Sequence, residues 1–96
     1  MKRTSSMVYK KTAESEELVL YTSNDATLYE TIIRPTIKNL ERKADKGIYI
    51  RERAVDAFYR VATAGSNKYG KDFGYRFSVQ DRFTAAVDMV DQFMGI

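Results

Sequence analysis

The sequence predicts an all-α domain of three to four helices with a flexible or partly extended N-terminal arm. Three observations carry this. Apolar residues recur at steps of three and four over long stretches. Helix-capping residues sit at the ends of those stretches. The alternating pattern of a half-buried sheet is missing from most of the chain. The division expected is an arm over residues 1–24 and one helical domain over residues 25–96.

The first fifteen residues are polar and aperiodic and read as a mobile tail. The run Glu17–Thr22, ELVLYT, is short and apolar, and reads as a strand or as an extended arm lying on the helices. Ile48-Tyr49-Ile50 has similar β-favouring character, so a two-stranded patch between the two runs is an open alternative.

The first helix is expected from Thr27, whose spacing to Glu30 is that of a capping box. Tyr29, Ile33, Ile37, Leu40 and Ala44 then form one apolar stripe. Pro35 interrupts it. It cannot donate to the Thr31 carbonyl and it disfavours helix at Arg34, so the helix either kinks or divides there. Gly47 reads as a left-handed cap, with Lys43 and Lys46 at the negative end of the helix dipole.

A second helix is expected from Arg51 to about Lys68, burying Ala54, Val55, Phe58, Val61, Ala62 and Tyr69. Gly65 shares that face and either admits a close neighbour or ends the helix early. Gly70 and Gly74 mark a loop, YGKDFGYRF. Ser78 is the expected N-cap of a third helix, with Asp81 in its first turn. Val79, Phe83, Ala86, Val87, Val90 and Phe93 form its predicted buried stripe.

Composition narrows function. The chain has 96 residues, no histidine and no cysteine. No disulfide framework or thiolate metal site is available, and the composition fits a reducing cytoplasm. No apolar run approaches the roughly 20 residues that span a bilayer. The N-terminus lacks the apolar stretch of a secretory signal. Serine and threonine have no histidine to activate them. Asp88 and Asp91 stand three apart but read as a solvated helix face. Gly70-Lys71-Asp72-Phe73-Gly74 lacks the order and setting of a phosphate loop. The expectation is therefore a protein that is not an enzyme, with no cofactor and no metal.

Binding is the remaining class. The net charge is +3, and residues 28–77 hold eleven basic against six acidic residues, a surplus of five. Lys38, Arg42 and Lys46 repeat at i+4 and line one helix face, a candidate phosphate-binding stripe. Tyr59-Arg60 and Tyr75-Arg76 combine the two residue types richest in protein hot spots. The expected partner-binding set is Lys38, Arg42, Lys46, Tyr59, Arg60, Tyr75 and Arg76. A host or viral protein is the leading partner and nucleic acid the alternative; a membrane is not expected, and a homo-oligomer remains open.

The pattern Ile37-Lys38-Asn39-Leu40, Arg42-Lys43, Lys46-Gly47, Tyr49, Ala54-Val55, Ala57-Phe58, Tyr69, Lys71, Phe73-Gly74, Phe77-Ser78, Arg82 and Ala85-Ala86 resembles small uncharacterised phage and prophage proteins over about residues 28–93. One departure is Ile50, where that pattern often holds a capping aspartate before the second helix. The resemblance implies a mobile-element origin and a host-cytoplasm setting, and no activity. The expected function is a non-catalytic accessory protein that inhibits or modulates a host or viral protein. The alternative is a nucleic-acid-binding helper using the basic face of the first helix.

Overall fold

A computed structural model describes residues 11–95, and they form an all-α domain. The order is α1 (Ala13–Asn24), a single turn α2 (Ala26–Leu28), a π-helical turn (Tyr29–Ile33), α3 (Arg34–Asp45), α4 (Arg51–Phe73) and α5 (Val79–Met94). The expectation for residues 1–10 lies outside the described residues. Helices α1, α4 and α5 enclose the core, and α3 lies at its edge with Leu40 as its one buried residue. The domain is thin, about 15 Å along its shortest axis, close to two stacked helices.

The expected arm ends earlier than residue 24. Residues 13–24 are helical, so Glu17–Thr22 is neither strand nor extended arm, and no strand exists among the described residues. Thr12 starts α1 with a capping box. Its Oγ1 accepts from the Ser15 amide at 3.0 Å, and Ser15 Oγ accepts from the Thr12 amide at 2.9 Å. The buried face is Ser15, Leu18, Val19 and Thr22, at helical spacing. Two of these four are hydroxyl residues, while apolar Leu20 points outward at 58% exposure. Apolar residues alone therefore traced a run, and the helical stripe appears only when Ser15 and Thr22 join it.

The capping box expected at Thr27 and Glu30 does not form. Asp25 caps instead, its Oδ1 accepting from the Leu28 amide at 2.9 Å, and its other oxygen holds Lys68 on α4. Glu30 pairs with Arg34 at 2.8 Å. Ahead of Pro35 the α-helix gives way to a π-helical turn, and α3 begins beyond it at Arg34 with Pro35 in its first turn. The helical path widens, and the Arg34 amide reaches back five residues to the Tyr29 carbonyl. A wider turn relieves the crowding that the Pro35 ring would impose on the preceding carbonyls. Ile33 is fully buried, but Ala44, placed on the same predicted stripe, is exposed. Helix α3 has risen away from the core by then.

Gly47 closes α3 as expected, with φ +75°. The Ile48 amide donates to the Lys43 carbonyl and the Gly47 amide to the Ala44 carbonyl, the two bonds of a Schellman motif. Residues 48–50 then run without regular structure into α4. Ile50 occupies its N-cap with no side-chain hydrogen bond.

Helix α4 continues past Lys68 to Phe73, through Gly65 and Gly70, and ends at Gly74 with φ +73°. Of the alternatives at Gly65, the close approach is the one realised. A Cβ there would stand 2.0 Å from Thr22 Oγ1 and 2.9 Å from Thr22 Cβ. Its hydrogen-sized side chain lets α1 cross in contact with α4. Ser78 is the N-cap of α5 as expected, and with Asp81 it forms a capping box. The buried face of α5 keeps Ala86, Val87 and Val90 of the predicted stripe but extends beyond it. Ala85 and Met89 are fully buried, Phe83 and Phe93 are half-buried, and Val79 is 63% exposed. Phe58 fills the centre and stacks on Phe93 with ring centroids 6.0 Å apart.

Two stability outcomes follow from this packing. Phe58→Ala should cost about 3–5 kcal/mol, as for emptying a buried aromatic site, whereas Val79→Ala should stay within about 0.5 kcal/mol. Gly65→Ala should cost at least about 1–3 kcal/mol through overpacking. Combining it with Thr22→Ala should cost less than the two single changes together, because they share one contact. Denaturant unfolding of the five variants and the parent measures this. Additive losses at Gly65 and Thr22 would place the α1–α4 crossing elsewhere.

Candidate functional site

The expected binding residues fall at the two ends of α4 rather than on one surface. At its N-terminal end, Lys38, Arg42 and Lys46 are exposed on the side of α3 opposite Ile33 and Leu40. None has a carboxylate partner among the described residues; Arg42 only grazes Asn39 Oδ1 at 3.4 Å. These three line no cavity. Beside them, α3 and α4 diverge around a notch of about 230 Å³ lined by Leu40, Lys43, Ile48, Ile50 and Arg53. Leu40 is its floor, while Ile48 and Ile50 remain 56% and 48% exposed. The Schellman turn at Gly47 fixes Ile48 there, and the extended backbone of Ile50 (φ −126°, ψ 121°) carries the chain on to α4. The notch neighbours a wider groove of about 650 Å³ that also takes in Asn39, Glu52, Asp56, Ala57 and Arg60. Arg60 thus joins Lys43 and Arg53 there.

Its sequence neighbour Tyr59 turns the other way. It is half-buried, and the Arg82 guanidinium sits over its ring at 5.6 Å, a cation–π contact. Tyr75 and Arg76 lie past the C-terminal end of α4. There Tyr69 is the hub of an aromatic cluster. Its ring centroid is 4.9 Å from Tyr21, 4.7 Å from Phe73, 4.9 Å from Phe77 and 6.3 Å from Tyr75. Most of these are edge-to-face, the arrangement the ring quadrupoles favour. Phe73 is 65% exposed and Tyr75 44% exposed. On the other side of Tyr75 and Phe77 lies a groove of about 380 Å³ lined by Lys71, Arg76 and Arg82 with Ser66, Asn67, Gly70 and Gly74. No carboxylate lines it.

Sequence reasoning missed the apolar notch and the role of Phe73 and Arg82. The signal for the second was present. Lys68-Tyr69-Gly70-Lys71-Asp72-Phe73-Gly74-Tyr75-Arg76-Phe77 interleaves cations with rings, yet the spacing of its two glycines predicts a loop and singles out only Tyr75 and Arg76 as binding residues. The notch had a weaker signal, two isoleucines directly after a helix-ending glycine.

Asp88 takes Lys11 at 3.4 Å and Asp91 takes Arg51 at 2.9 Å, so these two carboxylates hold separate elements together. No three carboxylates gather among the described residues. Tyr21 donates to Asp72 at 2.7 Å and Tyr69 to Glu17 at 3.3 Å. Partial burial, then the Asp72 carboxylate, push the Tyr21 hydroxyl up to about 12, and burial with the Glu17 charge raises Tyr69 as well. Both phenols are held as proton donors rather than bases. The bond from Lys68, with that from the Leu28 amide, lowers the Asp25 carboxyl. No helix among the described residues is long and apolar enough to cross a membrane. No family model, curated protein or solved structure matches the chain.

The raised Tyr21 hydroxyl has a defined pH signature. Its folded value lies above the ordinary 10.0, so its contribution to stability is complete below about pH 10 and is lost as pH rises towards 12. Ultraviolet titration of the tyrosines should show one phenol ionising near pH 12 that is absent in Tyr21→Phe. Melting should also fall more steeply above pH 10 in the parent than in that variant. Identical titration curves would mean that the Asp72 contact is not kept in solution.

Proposed function

We propose that this chain is a non-catalytic accessory protein of a phage or related mobile element, acting in the host cytoplasm by binding a host or viral protein and inhibiting or modulating it. The observation that carries the reading is the notch between α3 and α4. It offers an apolar floor at Leu40 and two half-exposed isoleucines, with Lys43 and Arg53 at its rim. Small concave apolar sites ringed by polar groups accept the anchor side chain of a protein partner. The exposed cations Lys38, Arg42 and Lys46 beside it supply long-range attraction for an acidic partner, a contribution to association rate more than to affinity.

A second reading rests on the same α3 cations. None of them is neutralised by a carboxylate among the described residues, so the face also suits duplex nucleic acid, where three phosphate contacts give a slope of about −2.7 for log affinity against log salt.

Capture from nuclease-treated host lysate separates the two. The parent should retain a discrete partner after nuclease treatment. Ile48→Ser with Ile50→Ser should weaken that complex at least about tenfold, or ~1.4 kcal/mol. Changing Lys38, Arg42 and Lys46 to glutamine should mainly slow association. A partner lost on nuclease treatment, together with duplex binding whose salt slope vanishes in the triple variant, would replace the first reading with the second. A protein complex indifferent to both isoleucines would place the interface elsewhere.

A further inference from the structure

We infer that the groove between the end of α4 and the start of α5 binds single-stranded nucleic acid, with phosphates held by Lys71 and Arg76 and a base stacked on Tyr75. This site is independent of the α3–α4 notch. It is about 16 Å further along α4, measured from Arg60 to Lys71 at 1.5 Å per residue.

Charge is the first support. Lys71, Arg76 and Arg82 come from α4, the connecting loop and α5, and converge on one groove with no carboxylate in its lining. The α3–α4 groove differs, because Glu52 and Asp56 offset its Lys43, Arg53 and Arg60. Lys71 and Arg76 are exposed and make no ion pair among the described residues. Arg82 is more constrained, with its guanidinium over Tyr59 and its Nε donating to the Ser78 carbonyl at 3.3 Å. It adds a fixed positive charge to the groove wall.

Aromatic geometry is the second support. A folded domain ordinarily hides large rings, yet Tyr75, which lines the groove, is 44% exposed. It meets Phe77 edge-on at 4.9 Å. A ring held by a neighbour and open to solvent on its other side is a stacking platform, and cations beside it match the repeating phosphate of a strand. Phe73 lies outside the groove lining, against Tyr21 and Tyr69. Room for a backbone is also present. Gly74 has nothing within 4 Å of where a Cβ would stand, and Asn67 and Ser66 add polar groups to the wall.

The same geometry favours a single strand over other anions. A duplex keeps its bases stacked on each other and offers no free face to Tyr75. An acidic peptide would satisfy the cations but presents no planar group at each charge. The path has one edge. Glu17 and Asp72, accepting from Tyr69 and Tyr21, repel phosphate on the α1 side of the cluster and leave the loop side open.

Fluorescence anisotropy of labelled dT12, U12 and a duplex of equal length tests this at low salt. The parent should bind the single strands more tightly than the duplex, with quenching of tyrosine fluorescence. The log–log salt slope should be about −2, from some −0.7 per phosphate contact and three cations. Lys71→Gln with Arg76→Gln should flatten that slope by about 1.4. Tyr75→Ala should weaken binding roughly 5- to 150-fold while leaving the slope intact, whereas Phe73→Ala, outside the groove, should change it by less than about twofold. All four positions are exposed, so circular dichroism should be unchanged. Glutamine at Lys38, Arg42 and Lys46 should leave single-strand affinity within about twofold, which keeps this site distinct from the α3 reading. Absence of single-strand binding would overturn the proposal. So would equal affinity for the duplex, loss on changing α3 alone, or displacement of dT12 by polyglutamate at equal charge.

Discussion

The packing of this domain depends on one close approach, the crossing of α1 over α4 at Gly65. No side chain at that position could coexist with Thr22 where it stands. Because the two helices touch there, Leu18 and Val19 reach the core beside Phe58 and Val61. The same crossing sets Tyr21, next to Thr22 in α1, edge-on against Tyr69, one turn beyond Gly65 in α4. Tyr69 then supports Phe73 and Phe77, and the exposed rings at the end of α4 are the outer members of that chain of contacts. A backbone allowance in the core thus positions an aromatic surface at the rim. The crossing also leaves Thr22 Oγ1 buried without a hydrogen-bond partner, a cost that close packing must offset.

A second constraint shapes the opposite end. Pro35 denies its helix one hydrogen bond, and the π turn before it absorbs the mismatch. Ile33 lies fully within the core just before that proline, but beyond it only Leu40 is buried. The divergence leaves Leu40 facing partly into a gap, and the Schellman turn at Gly47 delivers Ile48 to the edge of that gap. Filling it with a longer core residue would have been an easy route to stability, since burial of an apolar side chain is worth roughly 1.5–3 kcal/mol. The open notch is consistent with selection for contact with something else.

Elements whose buried face is apolar and regularly spaced were legible in the sequence. Helix α4 was read from Ala54, Phe58, Val61 and Ala62, and the caps at Gly47 and Ser78 from their residue types. Helix α1 was not, because Ser15 and Thr22 supply half its buried face and exposed Leu20 supplies a false apolar run. On α5 the predicted Ala86, Val87 and Val90 are buried, but Val79 is not. The face extends instead to Thr84, Ala85 and Met89, where the helix packs closely on α4 and α1. Packing distance, which decides whether small or large residues face inward, is a tertiary quantity. Of the expected site, single residues were legible and groupings were not. Tyr59 and Arg60 are adjacent in sequence, yet a helix sends successive residues about 100° apart, so they serve different ends of α4.

Charge pairing explains why the two surfaces arise where they do. The acidic surplus of the C-terminal segment is largely consumed in stitching elements together. Asp91 holds Arg51 at the start of α4, and Asp88 holds Lys11 ahead of α1. Asp25 spends Lys68 in tying the turn before α2 to α4. Each pair joins segments distant in sequence, and each removes a cation from the surface field. Among the described residues, Lys38, Arg42, Lys43, Lys46, Arg53 and Arg60 around α3 and the first half of α4, with Lys71, Arg76 and Arg82 beyond its middle, make no ion pair. Partly exposed ion pairs contribute little to stability by themselves. Their larger effect here is spatial, since they concentrate the net positive charge at the two places where apolar or aromatic side chains are also left open. A basic charge spread evenly would attract anions without orienting them. Concentrated beside an apolar notch at one end and exposed rings at the other, it gives each surface both an attraction and a shape to fit.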